Sequence, residues 1–577
     1  MFDTLPNSAL DALDWKAEQL QPYLDDLLSR PLTAENVEAW LADWSALSRL
    51  VYEIYIRLSV ATSVDTTDAT AEARMNAFLD TIYPALMMGM NALNQKLLAS
   101  GLKPAGFELP LRKIEVDAEL FREKNIPLSA EVNRLNIEFD KVIGAQTVTW
   151  NGEEKTIAQM QPLLQEPDRS VREKAWRLMI ERSLHDRDTL NGLWVKYMDL
   201  RGQIATNADA PDFRAYMWKS MKRFDYTPQD AETFHRAIEE VVVPAAKRLY
   251  ERQQARLKLD TLRPWDVGGG PMGVKLDPQR REPIRPYQTV EQLETTLETI
   301  FNRVDPALGA YYRTMVDEKL LDLDNRKGKA PGGYCTTFYQ AQRPFIFMNA
   351  VGLHEDVQTL LHEGGHAFHA FESFALPYIQ QQDAPMEFAE VASMSMELLA
   401  APYLTKDQGG FYSPEDAARA RAEHLENLIR FWPYMAVVDA FQHWVYTNHK
   451  AASDPANCDA KWAELWDRFI QGIDYSGDPL LATARETGWH RKLHIFQNPF
   501  YYIEYGLAQL GAVQVWKNAL SDQAKAVADY RKALALGGTT NLPGLFGAAG
   551  AKFGFDASLM QEAVDLVERT LEALDPA

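Results

Sequence analysis

The run His362-Glu363-Gly364-Gly365-His366 sets two imidazoles four residues apart, with a carboxylate beside the first. Positions four apart share a helix face, so both imidazoles can aim at one ion. A carboxylate next to the first ligand can reach a water on the same metal and act as its base. That is the chemistry of metal-assisted hydrolysis. The flanking sequence supplies the helix this needs. Val357, Leu360, Leu361, Ala367, Phe368 and Phe371 form an apolar stripe at helical spacing, and Glu355 and Asp356 suit a first turn. Gly364 and Gly365 each cost about 1 kcal/mol relative to alanine inside a helix. Such a cost fits a helix that another segment or a substrate must approach closely. A core helix with two merely hydrogen-bonded histidines has no use for it.

A hydrolytic zinc site takes a third protein ligand and leaves the fourth position to water. The stretch from Asp383 to Leu399 reads as a second helix, capped by Asp383 or Ala384 with Pro385 in its first turn. Glu390 and Glu397 are seven apart and nearly superimposed on one face, while Glu387 lies about a sixth of a turn away. Glu390 is the expected ligand, and Glu397, two turns on, is placed to orient a ligand histidine from behind. Glu387 stays open as a rival ligand, and an ordinary solvated face is the other reading of Glu397.

Taken together, the chain resembles the M3 family of zinc metallopeptidases, in its oligoendopeptidase F and Pz-peptidase-like branch. The resemblance is carried by His362-Glu363-x-Gly365-His366 with His369 three residues on, and by Phe388 to Ser393. It is carried also by Gly332 to Thr336 with Pro344 to Asn349, and by His494 followed by Phe500 to Tyr505. It is specific over about residues 325–515 and weaker over most of the rest. It implies that Glu390 is the third zinc ligand, in agreement with the helical argument. The spacing from His362 to Glu390 is one residue shorter than in mammalian-type members, which keeps Glu387 in play. The resemblance further implies a mainly helical, two-lobed body with a deep substrate channel, one Zn2+ per chain on its floor, and short unfolded oligopeptides as substrates.

In the mechanism these residues imply, zinc lowers the pKa of its water toward about 7 and polarises the scissile carbonyl. Glu363 takes the water proton and delivers it to the leaving amine. The tetrahedral oxyanion then needs donors. Asn498-Pro499 reads as a helix start, which sets Tyr501 and Tyr505 one turn apart with Tyr502 adjacent and His494 just upstream. The resemblance gives a histidine and tyrosines here contact with the substrate carbonyl, a role carried to His494 and Tyr505 and more loosely to Tyr501 and Tyr502. An aromatic core stripe is the alternative reading.

Upstream of the zinc helix, Tyr334 to Tyr339 and Pro344 to Met348 read as a small antiparallel hairpin across a polar turn. Its edge could pair with an extended peptide, and Gly332 and Gly333, beside Tyr334, would permit close backbone approach. His369 is either a support for the ligand helix, a lining of the substrate cleft, or a satisfied core histidine. His490, Arg491 and Lys492 form a basic group able to meet a peptide carboxylate; neither they nor His354 are counted among the catalytic residues.

Composition narrows the class. Apolar residues make up 46% of 577, enough for sizeable cores, and the formal charge of −21 argues against nucleic acid and against an anionic membrane surface. Two cysteines, Cys335 and Cys458, suit a reducing compartment. The N-terminal residues lack a basic-then-apolar leader, and no uninterrupted apolar stretch is long enough to span a bilayer. A cytoplasmic enzyme acting on oligopeptides is expected, with oligomeric state unread. Long helices are expected from Thr227 to about Leu257, kinked at Pro244, and from Ser413 onward past Val437, with Pro433 as a bend. Irregular chain is expected at 260–286, where Gly268-Gly269-Gly270 reads as a loop, and at 537–554. A rough partition gives residues 1–200 to an N-terminal helical region and 201–577 to a catalytic region, with fuzzy limits and intertwining allowed. The expected activity is zinc-dependent endopeptidase; a zinc carboxypeptidase and a non-catalytic peptide-binding protein are the rivals.

Overall fold

The computed structural model describes residues 2–270, 284–326, 328–330 and 332–574. Most of them are helical. Among the long helices, α1 (Val37–Val64) and α2 (Ala69–Ser100) bury Trp40, Leu47, Leu50, Phe78 and Leu93 in one core. Gly101, in the left-handed region at φ 67°, ends α2. A hairpin of β1 (Thr147–Trp150) and β2 (Glu153–Thr156) turns through Asn151 and Gly152, both at positive φ. An Asn-Gly pair between short strands is a turn signal that the sequence reading passed over.

The helix expected from Thr227 is present in two parts, α3 (Pro228–Ala237) and α4 (Val243–Leu257). Thr227 and Asp230 cap its start reciprocally. A π-helical segment at Ile238–Val242 joins the parts, just ahead of Pro244, whose nitrogen cannot donate to the preceding turn. The glycine run at 268–270 is a turn, as expected, while residues 271–283 of the irregular stretch lie outside the described residues.

After α5 (Val290–Val304) come three strands, β3 (Leu321–Asp324), β4 (Tyr334–Phe338) and β5 (Arg343–Ala350). β4 and β5 form the expected antiparallel hairpin, with Tyr334 opposite Phe347 and Phe338 opposite Arg343. β3 adds to the other side of β5 in parallel, so the sheet is mixed and β4 lies at its edge. Then follow α6 (His354–Ser373), α7 (Met386–Ala400) and α8 (Pro414–Thr447), which runs through Pro433 as one element. The short α9 (Leu493–Gln497) precedes α10 (Tyr502–Ser521).

By contacts the chain divides into two units, each drawn from three stretches. The first comprises residues 1–126, 285–414 and 511–553, and holds α1, α2, α5, the mixed sheet, α6 and α7. The second comprises 127–284, 415–510 and 554–577, and holds the β1–β2 hairpin, α3, α4, α8 and α9. Residue 200, where the sequence partition was drawn, is not among these boundaries. Among the described residues no helix is long and apolar enough to cross a membrane.

Candidate active site

α6 starts where it does because Asp356 collects the chain that enters it. Its carboxylate accepts the N–H groups of Val351 (2.9 Å), Gly352 (2.7 Å) and Leu353 (2.8 Å), and the Tyr287 hydroxyl donates to it as well. A carboxylate in the first turn also suits the helix dipole. With the start pinned, the third and fourth turns carry His362, Glu363 and His366.

The two glycines are explained by what lies against them. A Cβ on Gly365 would stand 2.5 Å from the Ala392 carbonyl oxygen and 2.5 Å from Ser393 Cα, both backbone atoms of α7. A Cβ on Gly364 would stand 2.7 Å from the Phe301 ring of α5. Gly365 therefore lets α7 approach α6 at backbone distance, and Tyr530 fixes the far side of that contact by donating to the Ala392 carbonyl at 2.8 Å. Two residues before Ala392, Glu390 is delivered to the imidazoles.

Its Oε2 lies 3.3 Å from His362 Nε2 and 3.5 Å from His366 Nε2. One ligand atom from each of the three residues falls within a 4.8 Å set, which among the described residues is the metal-capable group. Ligands about 2.0–2.1 Å from a tetrahedral ion stand roughly 3.3 Å apart, so these spacings suit such an ion. Glu397 Oε1 sits 2.7 Å from His362 Nδ1, and Ser393 Oγ donates to Glu390 Oε2 at 3.1 Å. The Glu397 bond places the His362 proton on Nδ1 and turns the Nε2 lone pair toward the ion position. Burial opposes charge on His362, but Glu390 and Glu397 outweigh it and hold its pKa well above the usual imidazole range. Burial likewise opposes charge on Glu390, yet the two imidazoles hold its pKa well below the usual carboxylate range. The donor set is organised around positive charge, and nitrogen, nitrogen and carboxylate oxygen is a zinc-type combination.

Glu363 is buried, and burial raises its carboxyl pKa while the neighbouring imidazoles oppose the rise. The backbone N–H of Cys335, in edge strand β4, opposes the rise as well. A raised carboxyl pKa suits a group that must gain a proton and return it.

The aromatic cluster also exists, within the second unit. Tyr505 Oη is 3.4 Å from His494 Nε2, and the ring centroids of Tyr501 and Tyr505 are 5.1 Å apart. Tyr502 packs 5.1 Å from His494 and 5.5 Å from Tyr505. The local backbone differs from the expected helix start at Pro499. α10 begins only at Tyr502, because Phe500 takes a left-handed φ of 68° and breaks the run. Distant side chains hold this break. The Arg223 guanidinium donates to the Phe500 carbonyl and pairs with Glu504 at 2.9 Å, both groups buried. Gln442 accepts the Phe500 N–H at 2.6 Å and donates to the His494 carbonyl at 3.4 Å. Arg201 donates to the Phe496 carbonyl. Sequence reasoning missed all three, since nothing local marks an arginine or glutamine that serves a loop tens or hundreds of residues away.

The family model described as Peptidase family M3 matches residues 162–564. The chain belongs to peptidase family M3. M3 peptidases are metallopeptidases, and His362, His366 and Glu390 give this M3 chain a candidate metal site. An oligoendopeptidase F homologue of Mycoplasma pneumoniae is 22% identical over 424 residues, covering 69% of this chain and 65% of the relative. The match thus spans just under two thirds of that relative's length. Among solved structures, a candidate oligoendopeptidase F superposes with a TM-score of 0.90 at 27% identity, covering 97% of this chain and 98% of that one. Pz peptidase A, solved with an inhibitor, gives 0.89 at 25% identity over the whole of both chains.

The remaining candidates of the M3 reading are placed as follows. Glu387 is buried but does not belong to the three-residue metal-capable group. α7 starts slightly later than expected, with Pro385 just before its first residue, because the Asp383 carboxylate is taken by Lys113 at 2.8 Å rather than by a cap. His369 is buried with its ring nearly perpendicular to that of Phe388, and burial brings its pKa down to about 3, so it is a neutral imidazole. Gly332 and Gly333 are exposed at the entry to β4. Gly332 has φ 94°, and a Cβ on Gly333 would meet Thr359 of α6 at 3.3 Å. Tyr334 stacks on Phe347 at 4.8 Å.

Proposed function

We propose that this chain is a zinc-dependent endopeptidase that hydrolyses internal bonds of short, unfolded oligopeptides. The observation that carries the reading is the convergence of His362, His366 and Glu390 with a buried Glu363 beside them, in a chain of a peptidase family. Zinc held by these three residues supplies a Lewis acid that polarises a carbonyl and makes a water more acidic. Glu363 accepts a proton from that water on its carboxylate and later passes it to the nitrogen of the leaving amine. Glu397 keeps the His362 proton on Nδ1, so the imidazole stays a ligand. His494 and Tyr505 are assigned to the developing oxyanion, Tyr505 through its hydroxyl and His494 through its ring N–H, with Tyr501 and Tyr502 as substrate contacts. Gly332, Gly333 and Tyr334 are assigned to the extended peptide along the edge of β4. The unbridged Cys335 and Cys458 support a cytoplasmic setting.

The test uses internally quenched peptides blocked at both ends. An endopeptidase cleaves them, chelation abolishes cleavage, and one equivalent of zinc restores it. Cleavage confined to peptides with a free carboxyl terminus would instead identify a carboxypeptidase.

A further inference from the structure

Three basic residues precede His494, and the structure uses them differently. His490 is buried with Nε2 2.7 Å from Asn191 Oδ1, and burial brings its pKa down to about 3, so it packs as a neutral ring. Arg491 donates to the Ala484 carbonyl at 2.7 Å. Among the described residues the Lys492 ammonium has no hydrogen-bond acceptor.

Its Nζ sits 4.2 Å from the Tyr502 ring centroid and 5.5 Å from that of Tyr434. Among the described residues no carboxylate is within ion-pair distance of it, and no charge appears among the influences on its pKa. In a chain with 81 acidic and 60 basic residues, a half-buried lysine left without an acid is conspicuous. Lysines more commonly carry their ammonium out to water along an apolar stem, whereas this one rests on two tyrosine rings. Tyr502 in turn packs 5.1 Å from His494 and 5.5 Å from Tyr505. The cation is therefore one aromatic ring away from the groups assigned to the oxyanion.

We propose that Lys492, seated on Tyr502 and Tyr434, binds a carboxylate of the peptide substrate within about three residues of the cleaved bond, given a rise of roughly 3.3–3.6 Å per extended residue. The inference rests on the role given above to His494 and Tyr505. An ammonium is a compact point charge that meets either a terminal α-carboxylate or an Asp or Glu side chain, so the ligand is defined as a carboxylate. Burial brings the Lys492 pKa down to about 7, and a bound carboxylate restores the full charge by supplying the missing counter-ion.

The test compares four matched quenched peptides in the zinc-loaded full-length protein and in Lys492→Met, which keeps the stem and removes the charge. One peptide ends in a free carboxylate near the cleaved bond, and one is its amide. The other two are amides carrying Glu or Gln at the neighbouring position. Lys492→Met is expected to raise KM about tenfold for a carboxylate peptide relative to its neutral partner, with a much smaller change in kcat. Lys492→Arg is expected to recover most of the preference. Loss confined to the free-acid pair assigns the chain terminus, and loss confined to the Glu pair assigns the side chain; either supports the site. Equal KM for charged and neutral peptides in the parent protein, or an equal change across all four in Lys492→Met, overturns it. Dissociation constants measured in a Glu363→Gln background separate this inference from the proposed function. Carboxylate-dependent binding that vanishes with Lys492→Met, in a protein whose parent cleaves none of the peptides, supports the site and overturns the peptidase reading. Cleavage with no carboxylate dependence does the reverse.

Discussion

Two regions of this molecule carry the proposed chemistry, and they are built in opposite ways. His362, Glu363, His366, Glu390 and Glu397 stand on two continuous helices, α6 and α7, brought to backbone distance by Gly365. His494, Tyr501 and Tyr505 surround a break between α9 and α10, where Phe500 adopts a left-handed backbone. In the first region the helix period already fixes which side chains meet, and one tight contact sets the distance. In the second no period does so, and the loop's shape depends on Arg201, Arg223 and Gln442 contributed from far along the chain. A site on helices is specified locally; a site at a break is specified by its supports.

The largest expected effect belongs to the first region. Glu363→Gln is expected to lower kcat about 10³-fold while zinc content stays at one per chain, read by steady-state kinetics and metal analysis on the same sample. An active Glu363→Gln enzyme would remove the base from the account. Next comes the second region, where Tyr505→Phe deletes one hydroxyl. A fall in kcat of about 10²-fold, with metal affinity untouched, is expected. A change in metal affinity there would erase the functional distinction between the regions.

Glu397→Gln tests the support of the ligand shell. Chelator competition is expected to show metal affinity about 10- to 100-fold weaker, because the neutral amide that replaces the carboxylate no longer supplies the negative charge that holds the His362 Nδ1 proton and raises the basicity of its Nε2. The smallest effects come from a pair that sharpens the contrast directly. Gly365→Ala places a methyl against the α7 backbone and is expected to cost about 1–3 kcal/mol of stability while weakening metal binding. Gln442→Ala removes the acceptor of the Phe500 N–H and is expected to lower kcat severalfold with metal affinity intact. Thermal melts and metal titrations on both variants decide whether the two supports are separable.

Legibility in the sequence follows the same division. The helix of the histidines, the close approach at its glycines, the grouping of Glu390 and the position of Glu397 all follow from a period of 3.6 residues and from what glycine costs. The β4–β5 hairpin was legible from its aromatic and β-branched strands; the parallel strand β3 was not, because Leu321–Asp324 is only four residues long and its alternation is too short to read. The start of α10 was misplaced because Asn498-Pro499 is a sound local start signal that a tertiary constraint at Phe500 overrides. Asp383 was misread as a cap because its partner, Lys113, lies 270 residues away. Lys492 was visible only as part of a basic group, since the absence of an acid beside it is a property of the folded chain.

Everything turns on three side chains holding one ion. The direct measurement is zinc stoichiometry and affinity in the parent protein, Glu390→Ala and Glu387→Ala, each dialysed against the same buffered zinc. One zinc per chain is expected in the parent and in Glu387→Ala, and essentially none in Glu390→Ala. Zinc retained without Glu390, or a parent protein that holds none, would contradict the account.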